Sequence, residues 1–264
     1  MGPFRPRRSL GQSFLIHKPT ADLLVAALNL KSGDTVLEIG PGKGILTRRL
    51  VEKAGRVVAV EIDERLVRQL QSELGCHPGF ELVHLDFMAY NMKPLGCVKV
   101  IGNLPYSISS QILFRLLDSV NVWEMAVLTA QREFARRVLA GPGTKAYGAL
   151  SVFLERVCKR EKLFDIPPLH FRPRPDVVST SFRLTKRQEP LFTFNDEVFF
   201  KRVVKAGFRQ RRKTLANNLS AELGLKKEDV DNLLAECGID VRARAESLDV
   251  WKFRCLVRVA ESSV

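Results

Sequence analysis

Residues 35–44 read Thr-Val-Leu-Glu-Ile-Gly-Pro-Gly-Lys-Gly, and this stretch decides the fold. Its first half, Thr35–Ile39, is short, apolar and rich in β-branched residues, which predicts a buried strand. The three glycines that follow form a turn before a helical pattern of apolar residues. A glycine-rich turn between a strand and a helix lets the backbone approach a ligand closely. The spacing is G-x-G-x-G rather than G-x-G-x-x-G, so the fingerprint for a dinucleotide pyrophosphate is imperfect.

Short apolar runs alternate with helical patterns on both sides of this stretch, which predicts an α/β sheet. Around residues 186–190 the alternation stops, and the remaining chain shows only helical patterns. We therefore expect two domains, one over residues 1–186 and a smaller helical one over residues 190–264, whose first helix is capped by Asn195. The predicted strands are 35–39, 57–62, 80–85, 98–101, 125–129, 162–166 and 180–184, and the predicted helices include 19–30, 133–139, 147–157, 226–237 and 247–259.

Two carboxylates follow the strands next to the glycine turn. Glu61 lies 21 residues after Gly40, at the end of the second predicted strand. An acidic residue about 20 residues beyond such a turn accepts hydrogen bonds from ribose hydroxyls, so the pattern predicts a bound nucleoside. Asp86 follows the third strand, where it either accepts from the amino group of a cofactor's adenine or caps a helix.

The tetrapeptide Asn103-Leu104-Pro105-Tyr106 lies where the next strand ends. The carboxyl ends of strands are where open α/β sheets bind ligands. The Asn103 side chain offers an acceptor and a donor, Pro105 stiffens the turn, and Tyr106 supplies a flat face. Together these groups suit a planar exocyclic amine such as N6 of adenine. An ordinary strand-ending turn is the alternative, because Asn and Pro are common turn residues.

The composition indicates a protein that binds a polyanion. The chain has 264 residues and a formal net charge of +13, which favours nucleic acid as the partner. Its four histidines show no paired spacing and predict no metal site. No run of about 18 apolar residues exists, and residues 1–8 are basic without the apolar stretch of a secretory signal.

The cysteines lie far apart in the sequence, with no C-x-x-C pair. We therefore expect neither a zinc site nor a disulfide framework, which fits a reducing cytoplasm. The five residues are Cys76, Cys97, Cys158, Cys237 and Cys255.

Two basic segments are candidates for contact with nucleic acid. The first, Phe171-Arg172-Pro173-Arg174-Pro175, is a loop whose prolines stiffen it and whose arginines suit phosphates. Phe171 itself either fills the core or covers the second face of a bound base. The second segment has no acidic residue, and a one-signed run in a basic protein favours contact with an RNA backbone over a merely solvated face. Its members are Lys201, Arg202, Lys205, Arg209, Arg211, Arg212 and Lys213.

The order of these pieces resembles one family over nearly the whole chain, from about residue 7 to residue 259. The chain is similar to the small-subunit ribosomal RNA adenine dimethyltransferases of the KsgA type. The resemblance implies a Rossmann-like class I methyltransferase sheet with a smaller all-helical, RNA-contacting C-terminal domain. The motifs that carry it are Leu-Gly-Gln-Ser-Phe-Leu at 10–15, Glu-Ile-Gly-Pro-Gly-Lys-Gly at 38–44, Glu61, Asp86, the tetrapeptide 103–106, the loop 171–175 and Arg-Arg-Lys-Thr-Leu at 211–215.

The resemblance also implies the reaction and its partners. Such an enzyme takes methyl groups from S-adenosylmethionine and dimethylates N6 of two adjacent adenines near the 3′ end of small-subunit rRNA. It works in ribosome biogenesis, and we expect a cytoplasmic monomer on a pre-ribosomal 30S-type particle, with no metal and no membrane contact.

Roles for individual residues follow from the same resemblance. Asn103 faces the cofactor and the target amine, the Leu104 or Pro105 carbonyl is a second acceptor, and Tyr106 and Phe171 stack on the base. Ser13 stands where the family usually has Asn, and it retains a shorter hydrogen-bonding side chain. The expected cofactor-binding residues are Ser13, Leu15, Gly40, Gly42, Glu61, Ile62, Asp86, Phe87 and Asn103.

Three other interpretations remain at this point. One is a methylase of the erythromycin-resistance type that acts on large-subunit rRNA, although residues 211–215 resemble the small-subunit enzymes better. A second is a non-catalytic ribosome-assembly or transcription factor on the same fold, because fold does not imply function. A dehydrogenase is the third, and both the glycine spacing and the tetrapeptide 103–106 disfavour it.

Overall fold

The computed structural model describes residues 12–194 and 196–262. Its contacts divide the chain into two units. The first comprises the residues up to Ala135 together with Lys159–Lys186, and the second comprises Arg136–Cys158 together with the residues from Arg187 onward. Residues 136–158, which the sequence placed in the larger domain, therefore pack with the C-terminal helices. The assignment of cofactor binding and RNA contact to separate domains stays a prediction.

The strands build one large sheet and one small one. In chain order they are β1 Phe14–Leu15, β2 Thr35–Ile39, β3 Arg56–Glu61, β4 Phe80–His84, β5 Val98–Asn103, β6 Trp123–Gln131, β7 Cys158–Ile166, β8 Phe171–Arg172 and β9 Ser179–Lys186. Within the described chain, the large sheet has seven strands in the order β4-β3-β2-β5-β6-β9-β7. The pairs β2–β3, β2–β5, β3–β4 and β5–β6 are parallel, whereas β6–β9 is antiparallel. This topology confirms the predicted Rossmann-like α/β fold.

The helices are α1 Lys18–Ala26, α2 Thr47–Leu50, α3 Glu64–Leu74, α4 Ser109–Asp118, α5 Arg132–Leu139, α6 Ala149–Val157, α7 Glu197–Gly207, α8 Leu215–Leu223, α9 Lys227–Glu236 and α10 Val250–Ser262. The chain returns to the same side before each new parallel strand, through α2, α3 and α4 before β3, β4 and β6, and through two short 3-10 helices before β5. The carboxyl ends of β2, β3, β4 and β5 therefore meet at one edge of the sheet. Across the described ranges, none of these helices has the length and apolarity needed to cross a bilayer.

The central strands were predictable because they are covered on both faces. Val57, Val58 and Ala59 of β3 are fully buried, and so are Val36 and Leu37 of β2. Parallel strands buried on both faces appear in a sequence as continuous apolar runs. All seven strands of the large sheet lie where they were predicted, and the largest shift is that of β7, which begins at Cys158 rather than at residue 162.

Helix boundaries differ more from the prediction. Helix α1 ends at Ala26 rather than at residue 30, because the N–H of Leu28 donates to Val25 and that of Asn29 to Ala26 in a closing turn. Asn29 then adopts a left-handed backbone with φ of +49°, a conformation that ends helices. Helix α6 begins at Ala149 rather than at residue 147, since Gly148 is extended, and α10 begins at Val250 rather than at residue 247, after a short 3-10 helix.

The small sheet was not predicted. Strand β1 pairs with β8 in antiparallel orientation, with Phe14 opposite Arg172 and Leu15 opposite Phe171. Strands of two residues have no readable periodicity, and these two are far apart in the chain. Their pairing brings the N-terminal segment against the loop expected over residues 171–175.

Helices α7 and α6 meet in an aromatic core in the second unit. The ring centroids of Phe200 and Phe153 are 5.7 Å apart, and Phe253 of α10 is fully buried nearby in the same unit. The N-cap of α7 is Asp196, whose Oδ1 accepts from the N–H of Phe199 at 2.8 Å. The predicted cap, Asn195, lies outside the described residues, as do the basic residues 1–8 and the first two residues of the motif at 10–15.

Two of the cysteines correct the expectation that the chain has no disulfide. Cys237 and Cys255 are joined, with their Cα atoms 5.7 Å apart. Cys237 directly follows α9 and Cys255 lies on α10, so the packing of these two helices brings the thiols together. Spacing along the sequence carries no signal of such a contact. Of the other cysteines, Cys76 and Cys97 are exposed, and Cys158 is buried.

Candidate active site

A cleft lies at the edge of the large sheet where β2, β3, β4 and β5 end. Its walls come from the N-terminal segment, the glycine turn, the residues after β3 and β4, and the tetrapeptide after β5. The structure brings twelve of the predicted site residues to it, although they are widely separated in sequence. These are Ser13, Leu15, Gly40, Gly42, Glu61, Ile62, Asp86, Phe87, Asn103, Leu104, Pro105 and Tyr106.

The glycine turn presents bare backbone to the cleft. Gly40 and Gly42 have φ of +65° and +58°, in the left-handed region that favours glycine. The N–H of Gly40 donates to the carbonyl of Val60 at 3.0 Å, which ties the turn to β3. A Cβ atom at Gly42 would lie only 2.9 Å from Cδ1 of Phe14. The Phe14 ring therefore packs directly on the turn, and a larger residue at position 42 would displace it.

Glu61 ends β3 with its side chain in the cleft wall and is 5% exposed. Its Oε2 accepts from the N–H of Gly42 at 3.1 Å, and its Oε1 accepts from those of Ile62 and Asp63 at 2.9 Å each. Burial raises the pKa of Glu61, and these three N–H groups oppose the rise. A carboxylate has about four lone-pair sites, so one remains for a ligand hydroxyl.

Glu38 is a cleft residue that sequence reasoning missed. It lies on β2 and is 1% exposed, and its Oε2 has no hydrogen-bond partner among the described residues. Burial raises the pKa of Glu38 to about 8, and the charge of Glu61 adds to the rise. Glu38 is therefore mostly a neutral carboxylic acid at pH 7. The available signal was an acidic residue inside an otherwise apolar strand that leads into the glycine turn.

The segment after β4 forms another wall of the cleft. Asp86 caps the short 3-10 helix Phe87–Ala89, with Oδ1 accepting from the N–H of Met88 at 2.9 Å. Asp86 therefore has the helix-cap role, which was one of the two roles considered from the sequence. The second oxygen of Asp86 accepts nothing from the residues described, so a contact with a cofactor adenine stays a prediction. Ile62 is 46% exposed and offers apolar surface to a ligand.

The side chain of Asn103 is held by the N-terminal segment. Its Nδ2 donates to the carbonyl of Ser13 at 2.8 Å, while its Oδ1 is buried and has no partner in the described structure. A buried polar atom without a partner costs about 1–3 kcal/mol, so such an atom in a cleft points to a ligand that donates to it. The Ser13 hydroxyl donates to the carbonyl of Pro173 at 2.9 Å, which leaves it only as an acceptor toward a cofactor. Leu15, in the same N-terminal segment, is 5% exposed.

Backbone contacts decide which carbonyl of the tetrapeptide is available. The N–H of Leu104 donates to Thr129 at 2.8 Å, next to the β5–β6 ladder. The Pro105 carbonyl accepts from the N–H of Ile108 at 3.2 Å and from Oγ of Ser109 at 2.9 Å, so both of its lone pairs are used. No described group donates to the Leu104 carbonyl. Of the two carbonyls considered as second acceptor, that of Leu104 is therefore the available one.

Phe171 does not line the cleft, which corrects its expected role in stacking on a base. Its side chain is 2% exposed and belongs to a core cluster that includes Leu15 and Ile101. Side chains alternate between the two faces of a strand, so the pairing of β1 with β8 turns Phe171 inward and Arg172 outward. Core packing, the other role considered for Phe171, is the one that the structure shows.

The seven residues of the basic run are all exposed, on α7 and the turn after it. Arg209 and Arg211 pair with glutamates of the same unit at 2.9 Å and 2.7 Å. Arg212 and Lys213 make no ion pair within the described ranges. Unpaired positive charge is therefore available at the end of the run.

Comparisons with known proteins agree with this geometry. The family model described as ribosomal RNA adenine dimethylase matches residues 4–258. The chain is 39% identical over 261 residues to the ribosomal RNA small subunit methyltransferase A of Geobacter sulfurreducens, covering 96% of this chain and 95% of the relative. It is 40% identical over 258 residues to the protein of the same name from Desulfitobacterium hafniense, covering 97% and 92%.

Solved structures share the fold. A dimethyladenosine transferase from Plasmodium falciparum superposes with a TM-score of 0.80 at 24% identity, covering 95% of this chain and 98% of that one. This similarity supports the fold alone. The 23S rRNA methyltransferase ErmE superposes with a TM-score of 0.74 at 28% identity, covering 93% and 98%. The family indicated by the motifs is confirmed by a match over nearly the whole sequence. The chain belongs to the ribosomal RNA adenine dimethylase family.

Proposed function

We propose that this chain dimethylates N6 of two adjacent adenines near the 3′ end of small-subunit rRNA, with S-adenosylmethionine as the methyl donor. Membership of the family supports an adenine of ribosomal RNA as the target, and the relatives named small subunit methyltransferase A support the small subunit. The observation that carries the proposal is the buried, unpartnered Oδ1 of Asn103 in the cleft. We further propose a cytoplasmic monomer that acts on a pre-ribosomal 30S-type particle.

The residues of the cleft fit S-adenosylmethionine. The remaining lone pair of Glu61 suits a ribose hydroxyl, and the free oxygen of Asp86 suits the adenine amino group. Gly40 and Gly42 present backbone without side chains, which lets the cofactor lie close to the turn. When bound, the cofactor supplies a methyl group that is already activated by the sulfonium charge.

The contribution of the chain itself is placement of the target amine. Oδ1 of Asn103 and the carbonyl of Leu104 accept its two hydrogens, which orients the lone pair of the nitrogen for attack. Because Nδ2 of Asn103 is held by the Ser13 carbonyl, Oδ1 stays directed at the amine. Neither acceptor is a base, and the amine loses its proton after it has become positively charged. A monomethylated amine keeps one N–H, so the same acceptors serve the second transfer.

The Tyr106 ring supports this placement by stacking on one face of the adenine. An adenine that leaves its stack loses its neighbours, and an aromatic ring in the cleft replaces one of them. Phe171 is not available for the other face, because it is buried in the core.

Methyl transfer from tritiated S-adenosylmethionine tests the proposal. Small-subunit particles, large-subunit particles and protein-free rRNA of both kinds are the substrates, and the modified positions are mapped. We expect label in N6,N6-dimethyladenosine at two adjacent positions of the small-subunit rRNA. Label in large-subunit rRNA would favour the activity named for ErmE, the specific alternative that its 28% identity raises. A folded protein that labels no RNA would favour the non-catalytic interpretation.

The first prediction concerns Asn103. Its acceptor acts on the amine as the transition state forms, so Asn103→Ala should lower the single-turnover rate by about two orders of magnitude, or roughly 3 kcal/mol. Affinity for RNA should change little, because phosphate contacts dominate it. Asn103→Asp keeps the shape and the acceptor but adds a charge beside the sulfonium. Asn121→Ala, at an exposed position, is the control. An Asn103→Ala enzyme with the wild-type rate would exclude this mechanism.

A further inference from the structure

The hydroxyl of Tyr106 has a partner that lies outside the cleft. It is 3.1 Å from Oγ of Ser179, the first residue of β9. Ser179 is fully buried and does not line the cleft. Among the described residues, the Ser179 hydroxyl has one hydrogen-bond partner, which is the Tyr106 hydroxyl. The two side chains therefore form an isolated pair, with one member in the site and one behind it.

Strand register places Ser179 at this point. Asn103, the last residue of β5, lies opposite Thr129 of β6, whereas Ser179 lies opposite Gln131, farther along the same strand. Ser179 is therefore beyond the end of β5, next to the turn that carries Tyr106. Its location follows from the antiparallel pairing of β6 with β9 and is as rigid as that pairing.

A tyrosine ring turns about two side-chain bonds. The hydroxyl oxygen lies on the axis of the second rotation, so a hydrogen bond at this end chiefly restricts the first rotation, which decides where the ring lies. No other hydrogen bond or aromatic contact holds the Tyr106 ring among the residues described. Burial raises the pKa of Tyr106, so the phenol stays neutral and can donate or accept. The bond to Ser179 is therefore the polar contact that fixes where the ring lies.

We propose that Ser179 is a positioning residue for methyl transfer, which acts by holding the Tyr106 ring at the position where it stacks on the target adenine. The inference rests on the proposed function. Ser179 touches neither the amine nor the residues expected to bind the cofactor. Its loss should slow methyl transfer while leaving cofactor affinity unchanged.

Strand β9 supplies a matched control for a purely structural role. Ser181 is also fully buried, two residues along the same strand and on the same face. Its Oγ donates to the carbonyl of Phe164 at 3.1 Å and accepts from the N–H of Phe164 at 3.4 Å, and it makes no contact with Tyr106. Ser181→Ala thus removes an equivalent buried hydroxyl without touching the pair.

The test compares Ser179→Ala, Ser181→Ala, Tyr106→Phe and the double variant of positions 179 and 106. Single-turnover methyl transfer is measured on small-subunit particles, cofactor affinity by calorimetry, and folding by thermal melting. We expect Ser179→Ala to be about fivefold slower than wild type, the effect of one neutral hydrogen bond. Ser181→Ala should keep the wild-type rate, and all variants should keep the wild-type cofactor affinity. In the Tyr106→Phe background, Ser179→Ala should cause no further loss.

Two results would overturn the inference. One is a Ser179→Ala rate equal to that of Ser181→Ala, and the other is a loss from Ser179→Ala that persists in the Tyr106→Phe background. If Ser179→Ala does not fold, Tyr106→Phe breaks the same bond from the cleft side, and an unchanged rate in that variant overturns the inference. A wild-type protein that methylates no rRNA removes the proposed function as well, so the two failures are distinguished by the wild-type reaction.

Discussion

At the scale of single residues, burial raises the pKa of two neighbouring carboxyls of the cleft, but their hydrogen bonds differ. Glu61 meets three backbone N–H groups, which favour its charged form. Glu38 has an oxygen without a partner in the described residues, and burial raises its pKa to about 8. Both acids end or lie on central strands, so their local sequences look alike. The difference in their hydrogen bonds follows from the groups that the fold places around each.

The second prediction concerns Glu38 and pH. Its pKa rises from 4.5 in an unfolded chain to about 8 in the folded one, so between these values only the folded state holds the proton. The contribution of Glu38 to stability is complete below pH 4.5 and is lost as the pH rises through about 8. Between these values the loss lowers the free energy of unfolding by up to about 1.4 kcal/mol per pH unit. Glu38→Gln cannot titrate. Its free energy of unfolding should therefore fall less than that of wild type between about pH 5 and pH 8.

Urea unfolding at several pH values measures this difference. Glu52→Gln, at an exposed position, is the matched control and should follow the wild-type curve. Parallel curves for wild type and Glu38→Gln would mean that Glu38 is ionised in the folded protein at neutral pH.

At the scale of elements, the pair β1–β8 stabilises the cleft from outside the large sheet. Leu15 and Phe171 point into the core and are 5% and 2% exposed. The N–H of Ile16 donates to the carbonyl of His170 at 2.8 Å, and the rings of His17 and His170 stack with centroids 3.8 Å apart. Two-residue strands form few ladder bonds, so side-chain packing holds this pair. Through it, the N-terminal segment keeps its contact with Asn103 of the tetrapeptide 103–106.

The third prediction separates packing from stacking at Phe171. Phe171→Ala should lower the free energy of unfolding by about 3–5 kcal/mol, because it leaves a cavity in a buried cluster. Phe171→Leu restores most of the volume, so it should cost less and should keep nearly the wild-type single-turnover rate. Urea unfolding and methyl transfer are measured on the same preparations. A Phe171→Leu protein of normal stability with a much lower rate would return Phe171 to the base-stacking role.

At the scale of the whole molecule, the net charge of +13 attracts RNA, but its cations do not contribute equally. Ion pairs with glutamates already use part of the charge of Arg209 and Arg211. Arg212 and Lys213 have no such partner within the described structure. Contact of the whole basic run with the RNA backbone stays a prediction. The unpaired charges lead us to expect this contact mainly at the end of the run.

The fourth prediction compares two double variants with the same change in charge. Arg212→Gln with Lys213→Gln should weaken rRNA binding and reduce the salt slope of its affinity by about 2, since each phosphate contact contributes about 0.9. Arg209→Gln with Arg211→Gln should reduce the slope less. Cofactor affinity should be unchanged in both. Equal slopes for wild type and both variants, measured by titration at several salt concentrations, would make the run a solvated face.

The sequence by itself determined the central sheet and most of the cleft. Buried parallel strands appear as continuous apolar runs, and a glycine turn is a local feature that needs only neighbouring residues. Strand ends then place Glu61, Asp86 and Asn103 at one edge, because parallel strands share their direction. Ten of the twelve predicted residues in the cleft reached it for this reason, whereas Ser13 and Leu15 belong to the N-terminal segment.

Only the tertiary structure decided the features that depend on contacts between distant segments. The pairing of β1 with β8 turns Phe171 into the core, and the N-terminal segment brings the Ser13 carbonyl to Asn103. Packing of α9 against α10 joins Cys237 to Cys255, and burial keeps Glu38 neutral. Periodicity reports which face of an element is buried, but not which partner covers it. These outcomes depend on the partner, so they follow from the fold rather than from any local stretch.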